Sequence, residues 1–101
     1  MRAEALQRRY PDTVLIKATR GRGCTLPALR RSHLMVPKTL TVGHLLHILR
    51  NRLAISADVA VFLFVDGVIP PCSQLIGHLD ASNREEHDIL HIEYASENAF
   101  G

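Results

Sequence analysis

Residues 88–101 read DILHIEYASENAFG and contain the clearest strand signal of the chain. Apolar and polar residues alternate through 90–94, as in a strand with one face in a hydrophobic core. The alternation then stops, and a short polar segment leads to Phe100 and Gly101. Because glycine lacks a Cβ, such a tail can enter a narrow crevice. An enzyme that activates a terminal carboxyl group and passes it to a thiol as a thioester requires such access.

The composition predicts one domain. The chain has 101 residues, of which 47% are hydrophobic, and this length suffices for a core without metals or disulfides. The longest apolar run, 59–65, is too short to cross a bilayer, and the polar N-terminus does not resemble a signal peptide. We therefore expect a soluble, intracellular domain over residues 1–95 and a flexible tail over 96–101. Free cysteines fit a reducing compartment, and Cys72 is expected to pack inside the domain.

Positive charge is concentrated in the first part of the chain. Residues 1–38 contain nine lysines and arginines against two acids, whereas residues 39–101 contain three arginines and eight acids. A basic end favours acidic peptides, phospholipid head groups or nucleic acid as partners. Tyr10 is the only aromatic residue of the basic part, so a stacking platform for bases is missing. We therefore expect no nucleic-acid partner.

The apolar patterns predict five strands and a long helix. The helix begins after Thr41, a plausible N-cap, and buries one stripe that includes Leu45 and Leu49. Asp66-Gly67 predicts a two-residue hairpin turn. The strands are expected at 14–19, 33–36, 60–65, 68–69 and 90–94, and shorter helices at 2–10 and 73–79, the second with Ser73 as its cap.

The order of these elements predicts an α+β fold, a ubiquitin-like β-grasp in which the long helix crosses a mixed sheet. The first and last strands are expected to be parallel neighbours. Residues 60–65 are apolar on both faces, which predicts a central strand.

Short motifs along the chain identify a family. In order they are Arg9-Tyr10-Pro11-Asp12, Leu34-Met35-Val36-Pro37, Leu40-Thr41-Val42-Gly43, Arg50-Asn51-Arg52, Phe62-Leu63-Phe64-Val65, Val68-Ile69-Pro70-Pro71, Ile92-Glu93-Tyr94 and Phe100-Gly101. With these motifs the chain resembles the autophagy-related protein eight family, the GABARAP-like ubiquitin-like modifiers. The resemblance covers nearly the whole chain from Arg9 onward.

The resemblance implies a conjugation pathway for the tail. Gly101 would be adenylated, carried as a thioester by activating and conjugating enzymes, and joined to phosphatidylethanolamine. Phe100 would help the activating enzyme and a processing cysteine protease to grip the tail. The protein would be cytoplasmic, and on the autophagosome membrane when lipidated. No cofactor or metal is implied, and the protein would not be an enzyme.

The resemblance also implies a site that binds aromatic-x-x-aliphatic motifs of cargo receptors by β-augmentation of the strand 33–36. The pocket for the aliphatic anchor would be lined by Leu34, Val36, Pro37, Leu40, Leu45 and Ile48. The pocket for the aromatic anchor would be surrounded by Leu6, Leu15, Lys17, His33, Met35 and Ile89. Arg31 and Arg52 would attract acidic residues that flank the motif.

The chain departs from the family pattern in two ways. The family normally has two helices before the first strand, and only one short helix fits here, so we expect a shortened N-terminal helical extension. Lys17 and His33 make the aromatic pocket unusually polar. At the positions of Leu34, Leu45 and Ile89, family members commonly have an aromatic residue, whereas this chain has an aliphatic one. We therefore expect the aliphatic pocket to be retained and the aromatic pocket to be weak or altered.

Two other functions share parts of this pattern. A protein-conjugated autophagy modifier also ends in an aromatic residue and glycine, although the Tyr-Pro-Asp and Val-Ile-Pro-Pro motifs favour the lipid-conjugated kind. A β-grasp adaptor that is never conjugated would need only the fold. Cys24 stands without a recognisable catalytic partner, which disfavours an enzyme. His44 and His47 lack a third metal ligand and are expected on a solvated helix face.

Overall fold

The computed structural model describes residues 9–21, 25–56, 58–83 and 89–96. The described elements are β1 (Thr13–Arg20), β2 (His33–Pro37), α1 (Val42–Leu53), β3 (Phe62–Phe64), α2 (Ile76–Asn83) and β4 (Ile89–Ala95). The helix predicted over residues 2–10 lies almost entirely outside the described residues, and so does most of the tail predicted over 96–101.

The described strands form one mixed sheet in the order β2-β1-β4-β3. β1 pairs with β2 in the antiparallel direction and with β4 in the parallel direction. β3 pairs with β4 in the antiparallel direction. The predicted parallel pairing of the first and last strands is therefore confirmed.

The long helix is α1, and it lies where the apolar stripe predicted it. The Thr41 side chain accepts a hydrogen bond from the His44 N–H at 3.2 Å, which confirms Thr41 as the N-cap. The helix ends at Leu53 and is followed by Ala54, which has a left-handed backbone (φ 54°) and whose N–H donates to the carbonyls of Arg50 and Asn51. His44 and His47 are exposed on the outer side, as expected.

Thr41→Ala is expected to lower the free energy of unfolding by about 1 kcal/mol, because the His44 N–H loses its acceptor at the start of α1. Urea denaturation followed by circular dichroism measures the difference. Thr39→Ala, an exposed change two residues earlier, is the matched control and should stay within about 0.5 kcal/mol of the wild type. An equal effect of the two substitutions would contradict the cap.

The sheet has one face in the core and a second face that points away from it. We call the first the core face. It carries Val14, Ile16, Leu34, Val36, Leu63, Leu90, Ile92 and Tyr94, which form one cluster with Val42, Leu45, Leu49 and Leu53 of α1 and with Ile76 and Leu79 of α2. The second face carries the alternate residues of each strand. There Leu15, Phe64 and Ala95 are buried, whereas His33, His91 and Glu93 are exposed.

The hairpin after β3 has the predicted two-residue turn. Asp66 and Gly67 both have positive φ, 51° and 78°, as a type I′ turn requires. Val65 and Val68 exchange hydrogen bonds of 2.8 and 3.0 Å across it. The return strand predicted at 68–69 was wrong, because Val68 makes a single bridge and its side chain is 66% exposed.

The prediction that residues 60–65 form a central strand was also wrong. β3 spans only Phe62–Phe64 and pairs with β4 alone among the described strands, at the outer position of the sheet. Its apolar side chains are explained by cover on both faces, since Leu63 is buried in the core cluster and Phe64 is buried on the second face. Apolar residues on both faces of a strand therefore show that both faces are buried. They do not show that the strand has a neighbouring strand on each side.

Helix α2 begins three residues later than predicted and continues to Asn83. Its first N–H groups are satisfied by the loop between β2 and α1 and not by Ser73. The Ile76 N–H donates to the Leu40 carbonyl at 2.8 Å and the Gly77 N–H to the Lys38 carbonyl at 2.9 Å. A Cβ on Gly77 would lie 3.0 Å from the Lys38 Cβ and 3.2 Å from the Lys38 carbonyl oxygen, so this close approach favours glycine.

The expectation that Cys72 packs inside the domain was wrong. Its side chain is exposed, and its carbonyl accepts a hydrogen bond from the Gly43 N–H at 3.0 Å.

The loop after α1 contains one carboxyl group with a shifted pKa. The Ser56 hydroxyl donates to the Asp58 carboxylate at 2.7 Å, and this bond, with a backbone hydrogen bond, lowers the pKa of the Asp58 carboxyl below its usual value.

In the described part of the chain, no helix is long and apolar enough to cross a membrane.

Candidate functional site

Strand β2 lies at the open edge of the described sheet. Its only described strand partner is β1, in a register that places Leu15 opposite Met35 and Lys17 opposite His33. Just beyond the strand ends, the Ala18 N–H donates to the Ser32 carbonyl at 2.7 Å and the Lys38 N–H to the Asp12 carbonyl at 2.9 Å.

These two hydrogen bonds fix which backbone groups of β2 face outward. In an antiparallel ladder, hydrogen-bonded pairs alternate with pairs that are not hydrogen-bonded. Since Ser32 and Lys38 are bonded to β1, the same parity assigns Leu34 and Val36 to the bonded pairs. The N–H and C=O groups of His33 and Met35 therefore point toward the open edge. An extended peptide that adds to this edge would meet them.

The residues predicted to line an aliphatic pocket lie on β2, on α1 and in the loop between them. Three of them expose at most 5% of their surface and belong to the core cluster, namely Leu34, Val36 and Leu45. Leu40 is half-buried and packs against that cluster, Ile48 is half-buried on α1, and Pro37 is exposed. The surface available here thus comes from Pro37, Leu40 and Ile48, and deeper contact requires Leu40 or Ile48 to move.

A cavity of about 550 Å³ lies near the start of β2 and is lined by Leu29, Arg30, Arg31 and Arg52. Its Leu29 wall is fixed by buried Tyr94, whose hydroxyl accepts from the Leu29 N–H at 3.1 Å and donates to the Pro27 carbonyl at 3.0 Å. The structure thus brings together Arg31 and Arg52, which were predicted to attract acidic residues.

Arg30 is a third arginine of this cavity that the sequence prediction missed. The signal was present as the dipeptide Arg30-Arg31, but the sequence did not show that both would reach the surface beside Arg52 of α1. Arginine is suited to contact a carboxylate or a phosphate, because its guanidinium group presents a fork of donors that matches either group.

The residues predicted to surround an aromatic pocket lie on the second face of the sheet. The register across β2, β1 and β4 forms one line of Met35, Leu15 and Ile89. Leu15 is buried, and Met35 and Ile89 are half-buried. Lys17 lies opposite His33 in the adjacent line, so the structure assembles these five residues around one stretch of the β2 edge. The sixth, Leu6, lies outside the described residues.

The predicted conjugation residues Phe100 and Gly101 also lie outside the described residues. The last described part of the chain is the end of β4, where Ala95 is opposite Phe62 of β3. The Gly21 N–H donates to the Tyr94 carbonyl at 2.9 Å, and the Ser96 hydroxyl lies 3.2 Å from that of Thr25. The tail thus leaves from a strand that is held on both sides.

No group of three His, Cys, Asp or Glu side chains suited to a metal ion occurs within the described ranges. The exposed pair on α1, His44 and His47, accordingly has no third ligand there. The geometry of the site is that of a binding surface, made of an open strand edge with an apolar strip on each side and a cationic cavity at one end.

A mixed sheet with parallel first and last strands and one long helix across its core face defines a ubiquitin-like protein. A family model described as "Autophagy protein Atg8 ubiquitin like" matches residues 1–101. The chain belongs to the Atg8 family of ubiquitin-like autophagy proteins. The predicted family and the predicted fold class are thereby confirmed.

Individual relatives agree with this assignment. Autophagy-related protein 8e of Arabidopsis thaliana is 33% identical over 102 residues, covering 99% of this chain and 84% of the relative. Autophagy-related protein 8 of Mycosarcoma maydis is 29% identical over 99 residues, covering 98% and 84%. The crystal structure of Trypanosoma brucei ATG8 is similar with a TM-score of 0.90 and 27% identity, covering 98% of this chain and 85% of that one.

Proposed function

We propose that this chain is a ubiquitin-like modifier of autophagy. It is conjugated through Gly101 to phosphatidylethanolamine on autophagosomal membranes, and it recruits cargo receptors and adaptors that carry aromatic-x-x-aliphatic motifs. The observation that carries the proposal is the match of the whole chain to the Atg8 family, together with the open edge of β2. The protein acts as a conjugated modifier that binds partners and not as an enzyme, and it needs no cofactor.

Conjugation uses the tail that follows β4. Phe100 and Gly101 are presented to the activating enzyme, the conjugating enzyme and a deconjugating cysteine protease. β4 lies between β1 and β3, so it supports the tail on a fixed base while the tail itself enters the enzyme. The protein is cytoplasmic before conjugation and membrane-bound after it.

Peptide binding uses the edge of β2. The outward N–H and C=O groups of His33 and Met35 pair with the backbone of an extended motif. The aliphatic anchor packs on Pro37, Leu40 and Ile48, and the first anchor of the motif lies over the line of Met35, Leu15 and Ile89. Acidic residues beside the motif bind in the cavity of Arg30, Arg31 and Arg52.

Titration of the labelled protein with an aromatic-x-x-aliphatic peptide, followed by NMR, tests this part of the proposal. The amide signals of residues 33–48 should shift, and those of the hairpin at 65–68 should stay unchanged, because the hairpin follows the outer strand on the opposite side of the sheet. Unchanged signals throughout 33–48 at millimolar peptide would contradict peptide binding at this edge.

An adaptor that is never conjugated is the second candidate, because the β2 edge can function without the tail. Incubation of the chain with the family's activating enzyme and ATP separates the two functions. We expect a thioester between the chain and the enzyme's cysteine, visible as a band that a thiol reductant removes. Failure to form it, with peptide binding intact, would favour the adaptor. A conjugate formed on a protein amine and not on phosphatidylethanolamine would favour the protein-conjugated modifier.

A further inference from the structure

Three basic side chains form a line across the second face of the sheet. Lys17 is directly opposite His33 of β2 and directly opposite His91 of β4. We call these three residues the basic row. Lys17 is half-buried, and the two histidines are exposed. Because Lys17 and His33 form a pair without mutual backbone hydrogen bonds, their side chains lie especially close.

The basic row lies beside the apolar line of Met35, Leu15 and Ile89. Lys17 and His91 are each two positions after the residue of the apolar line in the same strand, and His33 is two positions before Met35. The two lines are therefore about 7 Å apart. The surface next to the β2 edge therefore changes from apolar to cationic within the span of one peptide side chain. A purely aromatic anchor would have to cover both.

Negative charge is sparse on the part of this face that the described strands form. Among the described residues of the four strands, Glu93 is the only carboxylate on the second face, and it is exposed opposite Thr19. It is diagonal to Lys17 and on the far side from β2. No described carboxylate lies directly opposite Lys17 on either neighbouring strand. A carboxylate placed over the row from the β2 edge would form a charge-assisted hydrogen bond with the Lys17 ammonium group.

Both flanks of the β2 edge are thus cationic. Toward α1 the edge is bordered by the cavity of Arg30, Arg31 and Arg52, and on the second face by the basic row. This charge arrangement complements a peptide that is acidic on both sides of its backbone. An aromatic anchor over Lys17 would gain a cation–π contact, but it would displace water from the row without accepting its hydrogen bonds. A carboxylate accepts them as charge-assisted bonds.

We propose that the basic row binds the carboxylate of a glutamate or aspartate side chain at the first anchor position of a docked peptide, beside the apolar line on which an aromatic anchor would lie. Motifs with an acidic first anchor are therefore preferred over the aromatic-x-x-aliphatic motifs that the same edge binds. This inference rests on the proposed peptide binding at β2 and specifies the partner for that surface. Lys17 contacts the carboxylate at the centre of the row, and His33 and His91 contact it from the sides.

Binding of three peptides that differ at one position tests the inference. The peptides carry Glu, Gln or Trp at the first anchor and Leu at the second, and calorimetry on the full chain measures each affinity at low and high salt. We expect the Glu peptide to bind at least about fivefold more tightly than the Gln or Trp peptide at low salt, with the difference shrinking at high salt because exposed charges are screened.

Two variants with opposite charge effects sharpen the test. Lys17→Met should abolish the preference for Glu over Gln and strengthen binding of the Trp peptide, since methionine has a similar length without the charge. Glu93→Gln should strengthen binding of the Glu peptide, because it removes the described carboxylate that lies diagonal to Lys17. His44→Gln, on the exposed side of α1, is the control and should change no affinity. NMR spectra of each variant establish that the core is intact.

Tighter binding of the Trp peptide by the wild type, or an unchanged Glu-to-Gln ratio in Lys17→Met, would overturn the inference and leave peptide binding at β2 standing. Absence of binding for all three peptides would overturn both the inference and the proposed peptide-binding function.

Discussion

Replacing Met35 by proline should abolish peptide binding while the domain remains folded. The Met35 N–H points to the open edge of β2, so its loss removes no hydrogen bond of the described sheet. The residue before it, Leu34, is already in an extended strand, the conformation that a following proline requires. The peptide, in contrast, loses a backbone partner at the centre of the edge. We expect a loss of roughly 10- to 100-fold in affinity, equivalent to about 1–3 kcal/mol.

Val36→Pro is the matched control for the direction of the backbone groups. Val36 is opposite Val14 in a hydrogen-bonded pair, and its side chain is 5% exposed in the core cluster. Proline at this position removes a ladder bond and leaves part of the core unfilled, so we expect a loss of stability of about 3 kcal/mol or more. Calorimetry for the peptide and urea denaturation for stability separate the two variants.

Met35→Ala is the control for the loss of the methionine side chain in Met35→Pro. It keeps the N–H and should retain more affinity than Met35→Pro. Equal affinities of the alanine and proline variants would show that the peptide does not pair with the β2 backbone, and β-augmentation would be rejected. Unfolding of Met35→Pro to the same extent as Val36→Pro would contradict the outward orientation of this N–H.

Replacing Gly101 by alanine should nearly abolish lipidation. An added Cβ next to the reacting carboxyl group would clash with a narrow entrance to the activating enzyme and displace the carboxyl carbon. A displacement of about 1 Å at a reacting centre can cost about a hundredfold in rate. Reconstitution with the family's conjugating enzymes on liposomes that contain phosphatidylethanolamine measures the lipidated fraction, because the conjugate migrates differently on a gel.

Asn98→Ala is the control for this experiment, since it changes the same tail without touching the reacting residue. It should retain most of the lipidation, and both variants should bind peptides as the wild type does, because β4, from which the tail continues, does not pair with β2. Efficient lipidation of Gly101→Ala would mean that the reacting carboxyl group lies elsewhere, and the proposed conjugation through Gly101 would be wrong.

Features that depend on one segment and its faces were predictable from the sequence. Thr41 followed by the stripe of Leu45 and Leu49 located α1 because a helix buries one face at a fixed spacing. Asp66-Gly67 located the hairpin because a type I′ turn needs positive φ at both positions. The alternation at 90–94 identified β4.

Features that depend on contact between distant segments were only partly predictable: the order of the elements predicted the parallel pairing of β1 and β4, but no local signal predicted the others. The start of α2 is set by carbonyls of Lys38 and Leu40, which no local signal in 73–79 reveals. The edge position of β3 depends on which strands pair, whereas its apolar residues report only that both faces are covered. The arginine cavity and the basic row likewise join residues from separate elements.

The placement of β4 between β1 and β3 has a consequence for biosynthesis. Leu15 and Ile89 are partners although about 74 residues separate them along the chain, and pairing over such distances slows folding. A nascent polypeptide cannot complete this sheet until β4 has left the ribosome. The parallel pair of β1 and β4 therefore forms only after at least residues 1–95 have been synthesised, and the β2 edge gains its full support only then.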